Sequence, residues 1–120
     1  SVKPETPTEN IITAYGDGGF RVSGIRHEGS LIVLPDRIIP WRAASLDDLE
    51  RETFDVLAGT FEVLLIGCGA HMLISAKTAR EALSGLALSV DAMDTGAACR
   101  TYNVLVTEGR PVAAALIAVD

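Results

Sequence analysis

Phe61-Glu62-Val63-Leu64-Leu65-Ile66-Gly67-Cys68-Gly69 is a short β-rich apolar run that stops at a cysteine held between two glycines. Such a run reads as a buried strand that hands the chain to a flexible, exposed turn at one edge of a sheet. In folds with parallel strands, ligands gather beyond the carboxyl ends of the strands, so this turn is the first place to look for a site.

Around this strand the pattern alternates. Before it, from Ser45, the residues Leu46, Leu49, Thr53, Val56 and Leu57 are spaced as one stripe of a helix. Ser45 can cap that helix, Asp48 stands at the capping-box position and Gly59 can stop it. After it the spacing predicts a helix over 76–84, a short strand over 87–90, a helix over 95–108 and a last strand over 112–119. The 95–108 helix carries the strongest end signals: Asp94 as cap, Gly109 for the left-handed position and Pro111 to prevent continuation. Val112 to Val119 is the longest apolar run and reads as a strand buried on both faces.

The front third is broken by turn chemistry at Gly16-Asp17-Gly18-Gly19, His27-Glu28-Gly29-Ser30 and Pro35-Asp36. Short runs lie between, at 11–15, 20–25, 31–34 and 38–41, which predicts an antiparallel meander of hairpins. Phe20, Val22 and Gly24 are expected on one strand face, with Arg21 and Ser23 on the other. The fold class that follows is α/β in three layers, a central mixed sheet with helices on its faces, preceded by an antiparallel β-hairpin region.

With 120 residues the chain is long enough for one domain with its own core, taken as 11–120, and 48% of its residues are hydrophobic. No apolar run approaches the roughly 18 residues that span a bilayer, so the chain reads as soluble rather than membrane-spanning. Residues 1–10, with two prolines and two glutamates, read as a disordered arm without signal or transit character. Ten basic against sixteen acidic residues give a net charge of −6, which repels phosphate backbones and argues against nucleic acid as a partner.

The chemistry-bearing residues form no complete catalytic set. Gly67-Cys68-Gly69 resembles the opening of a dinucleotide loop, but Met72 fills the third glycine position and Ala70 to Ser75 reads as loop, so that reading fails. Cys68 could act as a nucleophile with His71 as base, against the plainer role of a small buried residue closing a strand. Cys99, beside Ala97 and Ala98, reads as packing on the sheet. The spacings of His27, His71, Cys68 and Cys99 match no metal-binding pair, so neither metal nor cofactor is expected. Arg100, with Asn103 and Thr107 on one side of its helix and Tyr102 beside it, could fork onto a carboxylate or phosphate. Ala97, Ala98, Thr101, Val104 and Leu105 are then the packing side. Asp47, Asp48, Glu50, Glu52 and Asp55, opposed only by Arg51, form a solvated face or an acidic docking surface for a basic partner.

Four segments taken in order resemble a known family: Tyr15-Gly16 with Gly19-Phe20; Gly29-Ser30-Leu31 with Leu34-Pro35 and Trp41; Leu65 to Gly69; and Met93-Asp94-Thr95 with Ala98-Cys99-Arg100-Thr101-Tyr102-Asn103. This is the family of small domains of unknown function that includes mitochondrial respiratory complex I assembly factor 3. The resemblance runs from about Ile11 to Val119. It implies the same three-layer fold and, for the mitochondrial members, a non-catalytic role in assembling NADH:ubiquinone oxidoreductase through protein partners at the inner membrane. It transfers no catalytic residue; Gly67, Cys68 and Gly69 and the Thr101-Tyr102-Asn103 stretch carry over as signature. The alanine-rich style resembles the bacterial members, which implies a cytoplasmic protein. Two functional readings follow. The favoured one is a non-enzymatic interaction or assembly module, in which a second copy could cover exposed sheet edges or apolar patches. The other is an anion-binding protein or enzyme that uses the Gly67 to Gly69 turn with Arg100.

Overall fold

The computed structural model describes residues 9–70 and 73–120, so His71 and Met72, with the roles weighed for them, and most of the N-terminal arm lie outside the described residues. Strands β1 (Ile12–Gly16), β2 (Gly19–Val22) and β3 (Ile25–Glu28) form an antiparallel sheet of their own. Strands β4 (Ser30–Leu34), β5 (Arg37–Trp41), β6 (Val63–Gly67), β7 (Ser89–Met93) and β8 (Val112–Leu116) form the main sheet in the order β5-β4-β8-β6-β7. β6 runs parallel to both β7 and β8, whereas β4 is antiparallel to β8 and β5.

The expected meander is therefore divided between two sheets, and it contains one more strand than the sequence reading gave. The run expected at 20–25 turns at Ser23-Gly24, whose φ values of 49° and 86° allow the tight reversal between β2 and β3. Gly24 is thus a turn residue and not a member of the Phe20 and Val22 face, and His27-Glu28 belongs to a strand. Phe20 and Val22 are buried while Arg21 is exposed, in keeping with the alternation of a strand with one face covered.

Helices α1 (Arg51–Asp55) and α2 (Leu73–Ala82) join the apolar cluster on one face of the main sheet, through Phe54, Ala79 and, just past the end of α2, Leu83. Helix α3 (Thr95–Thr107) and the small sheet join the cluster on the other, where Phe20, Val22, Ala98, Cys99, Tyr102 and Val106 meet Leu31, Val33, Leu65, Ala114 and Leu116. The sheet supplies both clusters by strict alternation: Leu64 and Ile66 go to one, Leu65 to the other. At its centre β8 is buried at every position, as its unbroken apolar run requires. Ala113, Ala114 and Ala115 add little bulk between the layers, so elements on both sides can approach closely.

The helix expected from Ser45 is instead one 3-10 turn, Leu46–Asp48, followed by the short α1. The capping box forms: the Asp48 carboxylate accepts from the backbone N–H of Ala44 at 2.8 Å and of Ser45 at 3.3 Å. Glu50 is then extended, with φ −128° and ψ 124°, and this break resets the helical phase. Phe54 and Leu57 turn inward, Phe54 meeting Trp41 edge to face at 5.9 Å, while Val56 is left 75% exposed. Burying one phenylalanine outweighs continuing an acid-rich helix with like charges four apart at Asp48 and Glu52.

Helix α3 begins where expected, with the Asp94 Oδ1 accepting from the Ala97 N–H at 2.8 Å. Its buried side is Thr95, Ala98, Cys99, Tyr102 and Val106, so the packing stripe read from the sequence was out of phase. Val104, expected to pack, is 55% exposed.

Candidate functional site

Because β6, β7 and β8 are parallel, their carboxyl ends open on one side of the molecule. The chain leaving β6 passes to α2 on one face, and the chain leaving β7 enters α3 on the other. A crevice forms between two neighbouring strands whose connections depart to opposite faces. Here it is a cleft of about 710 Å³, lined by Cys68, Gly69 and Ala70 after β6, Asp94 and Gly96 after β7 and residues 117–120 after β8. Tyr15, Ala44, Ser45, Asp47 and Thr78 complete the lining.

The floor of the cleft is stitched by hydrogen bonds. The Cys68 N–H donates to the Met93 carbonyl at 2.8 Å, the Thr95 N–H to the Gly69 carbonyl at 2.9 Å and the Ile117 N–H to the Gly67 carbonyl at 3.0 Å. The fully buried Thr95 hydroxyl accepts from the Gly69 N–H at 2.9 Å and donates to the Ile117 carbonyl at 2.7 Å. One side chain thus ties together the segments that leave all three parallel strands. Gly69 has φ 96°, a left-handed conformation that glycine adopts without strain. Contrary to the sequence reading, Gly67 to Gly69 is buried and pinned, and exposure resumes at Ala70.

Cys68 is 8% exposed and its thiol donates weakly to the Ile66 carbonyl at 3.7 Å. Burial raises its pKa, outweighing the hydrogen bond from the backbone near Met93 and the field of Arg80. Cys99 is pushed up to about 12, again chiefly by burial, and Tyr102 is raised for the same reason. These shifts disfavour thiolate, the nucleophilic form. They also set an alkaline limit on stability. Above about pH 9 the unfolded chain loses protons that folded Cys99 retains, so stability should fall with rising pH, by up to about 1.4 kcal/mol per unit from this group. Cys68 and Tyr102 act in the same direction. Urea midpoints measured from pH 8 to 11 should decline, less steeply for Cys99→Ala; a flat profile would contradict the buried, protonated thiol.

The other residues singled out from the sequence lie apart from this floor. Tyr102 is fully buried and its hydroxyl donates to the Asn10 carbonyl at 3.0 Å. Asn103 clamps β1 to α3, its Oδ1 accepting from the Ile12 N–H at 2.9 Å and its Nδ2 donating to the Ile12 carbonyl at 2.8 Å. Arg100 is exposed and does not line the cleft; its Nη1 donates to the Tyr15 hydroxyl at 3.4 Å. Arg100 reaches the cleft lining through its bond to Tyr15, and the charged groups among the described lining residues are the carboxylates of Asp47, Asp94 and Asp120. Tyr15 itself was passed over as part of a hairpin. Its ring lies over Gly96, where an added Cβ would fall 2.4 Å from the phenolic oxygen. The available signal was a glycine in the first turn of a helix that directly follows a strand.

The chain belongs to the family described as protein of unknown function (DUF498/DUF598), whose model matches residues 12–117. It is 39% identical over 106 residues to an uncharacterized protein of Rhodobacter capsulatus, covering 88% of this chain and 82% of that one. It is 32% identical over 116 residues to NADH dehydrogenase (ubiquinone) 1 alpha subcomplex assembly factor 3 of Bos taurus, covering 94% of this chain and 63% of that protein. The chain therefore spans less than two thirds of the length of that assembly factor. Among solved structures it is similar to an outer membrane protein from Bartonella henselae, at 39% identity and TM-score 0.81 over 95% of this chain and 98% of that one. A Mth938-like domain from Bordetella pertussis matches at 29% identity and TM-score 0.73, over 98% of this chain and 90% of that one. No helix among the described residues is long and apolar enough to cross a membrane.

Proposed function

We propose that this chain is a non-enzymatic protein-binding module that aids assembly of a multisubunit complex, with respiratory complex I as the first candidate. The observation that carries this reading is the similarity, along 94% of the chain, to an assembly factor of that complex. Two features support a binding role over catalysis. Burial raises the pKa of both cysteines, and the glycine turn is held by backbone partners and the Thr95 hydroxyl instead of presenting free donors to a substrate. The test is a deletion strain of the source organism examined by native gel electrophoresis for assembled NADH:ubiquinone oxidoreductase. Loss of the mature complex with accumulation of a subcomplex, restored by re-expression, is the expected result. Full assembly without the chain would overturn the proposal.

A further inference from the structure

We propose that the cleft beyond β6, β7 and β8 receives an arginine or lysine side chain of the protein partner. This rests on the binding role proposed above and names the chemistry it would recognise. Three observations converge. The cleft occupies the crevice between connections that leave β6 and β7 for opposite faces, where α/β sheets hold ligands. Its walls carry little bulk: Ala44, Ala70 and Ala118 line it with no more than a methyl group each, and a Cβ added at the buried Gly69 would meet nothing within 4 Å. Its charge has one sign, since Asp47, Asp94 and Asp120 line it and no lysine, arginine or histidine among the described residues does.

These carboxylates are not consumed by the fold. The side chains of Asp47 and Asp120 make no hydrogen bond or ion pair with described residues, and Asp94 uses only Oδ1, for the cap of α3. Cations around the cleft stand outside the described lining: Arg100 is held at the Tyr15 hydroxyl, Arg26 at the Gly16 and Asp17 carbonyls and at Glu28, and Arg80 acts on Cys68 through its field. An anionic ligand would have to approach three carboxylates. A long side chain with an aliphatic stem and a cationic end matches the lining better, its stem against Cys68, Ala70 and Ile117 and its head among the carboxylates. The net charge of −6 adds attraction at a distance.

The test is a titration of ¹⁵N-labelled protein with N-acetyl-arginine-N-methylamide, its neutral citrulline isostere and free arginine. Saturable amide shifts at Gly69, Gly96 and Ala118 are expected with the blocked arginine and not with citrulline. The double variant Asp47→Asn/Asp120→Asn, with native amide dispersion, should weaken binding about tenfold, and added salt should weaken it in the parent protein. Equal shifts with citrulline, shifts confined to the acidic 47–55 surface, or unchanged affinity in the double variant would overturn the proposal. Tighter binding of free arginine than of the blocked residue would overturn assignment to a protein side chain. The outcome separates from the assembly role. A deletion strain lacking mature complex I beside a protein blind to the probe sinks the cleft proposal alone, and the reverse combination sinks the assembly role alone.

Discussion

Thr95→Val is expected to cost about 3 kcal/mol and to lower the melting temperature by roughly 12 °C. The two side chains are nearly the same shape, so the loss isolates the hydroxyl. Thr95 has no exposed surface, and its oxygen is partner to the Gly69 N–H and the Ile117 carbonyl. Valine would leave both buried and unpaired, at about 1–3 kcal/mol each. Thr95→Ser keeps the hydroxyl and removes only a methyl group, so it should retain most of the stability. Urea denaturation of the three proteins decides the matter, and a valine variant as stable as the parent would remove the stitch from the account of the fold.

Gly67→Ala is expected to cost about 2 kcal/mol through crowding. A Cβ there would lie 3.0 Å from the Thr95 Cα and the Leu116 Cδ2, and 3.1 Å from the Thr95 Oγ1. The leucine methyl can swing aside, but the Thr95 backbone opens α3 and is fixed by its bond to the Gly69 carbonyl. Relief must therefore come from shifting Thr95, which weakens the same two hydroxyl bonds. The two substitutions should be coupled: the double variant should lose less than the sum of the singles by at least about 0.5 kcal/mol. Additive losses would show that Gly67 and Thr95 act separately.

Signals confined to a few residues survived from sequence to structure. Asp94, Gly109 and Pro111 mark the ends of α3 because capping and positive φ are decided within one turn, and Gly109 has φ 82°. Phase was harder. In Ala97-Ala98-Cys99-Arg100-Thr101-Tyr102 the small residues suit several faces, and the buried one is fixed by distant partners such as Asn10, 92 residues from Tyr102, and Ile12, 91 residues from Asn103. The same limit affected α1, where an extended Glu50 made Phe54 the inward residue. The Gly67 to Gly69 turn was legible as a place, since a buried strand ended there. The cleft was not, because Tyr15, Asp47, Asp94 and Asp120 come from separate segments and no short spacing unites them. Sheet order was equally hidden: β4 and β8 pair with Leu31 opposite Leu116, and nothing local in either strand announces the other.

That pairing has a consequence during synthesis. β8 follows the other four strands of the main sheet in sequence, yet it occupies the middle of that sheet, with β4 on one side and β6 on the other. Until it emerges, the β4-β5 hairpin and the β6-β7 pair each present an unpaired apolar edge with no neighbour to seal it. A nascent chain arrested before Val112 holds two half-sheets that can recruit foreign strands, so the growing polypeptide is most exposed to aggregation just before Val112 to Leu116 emerge.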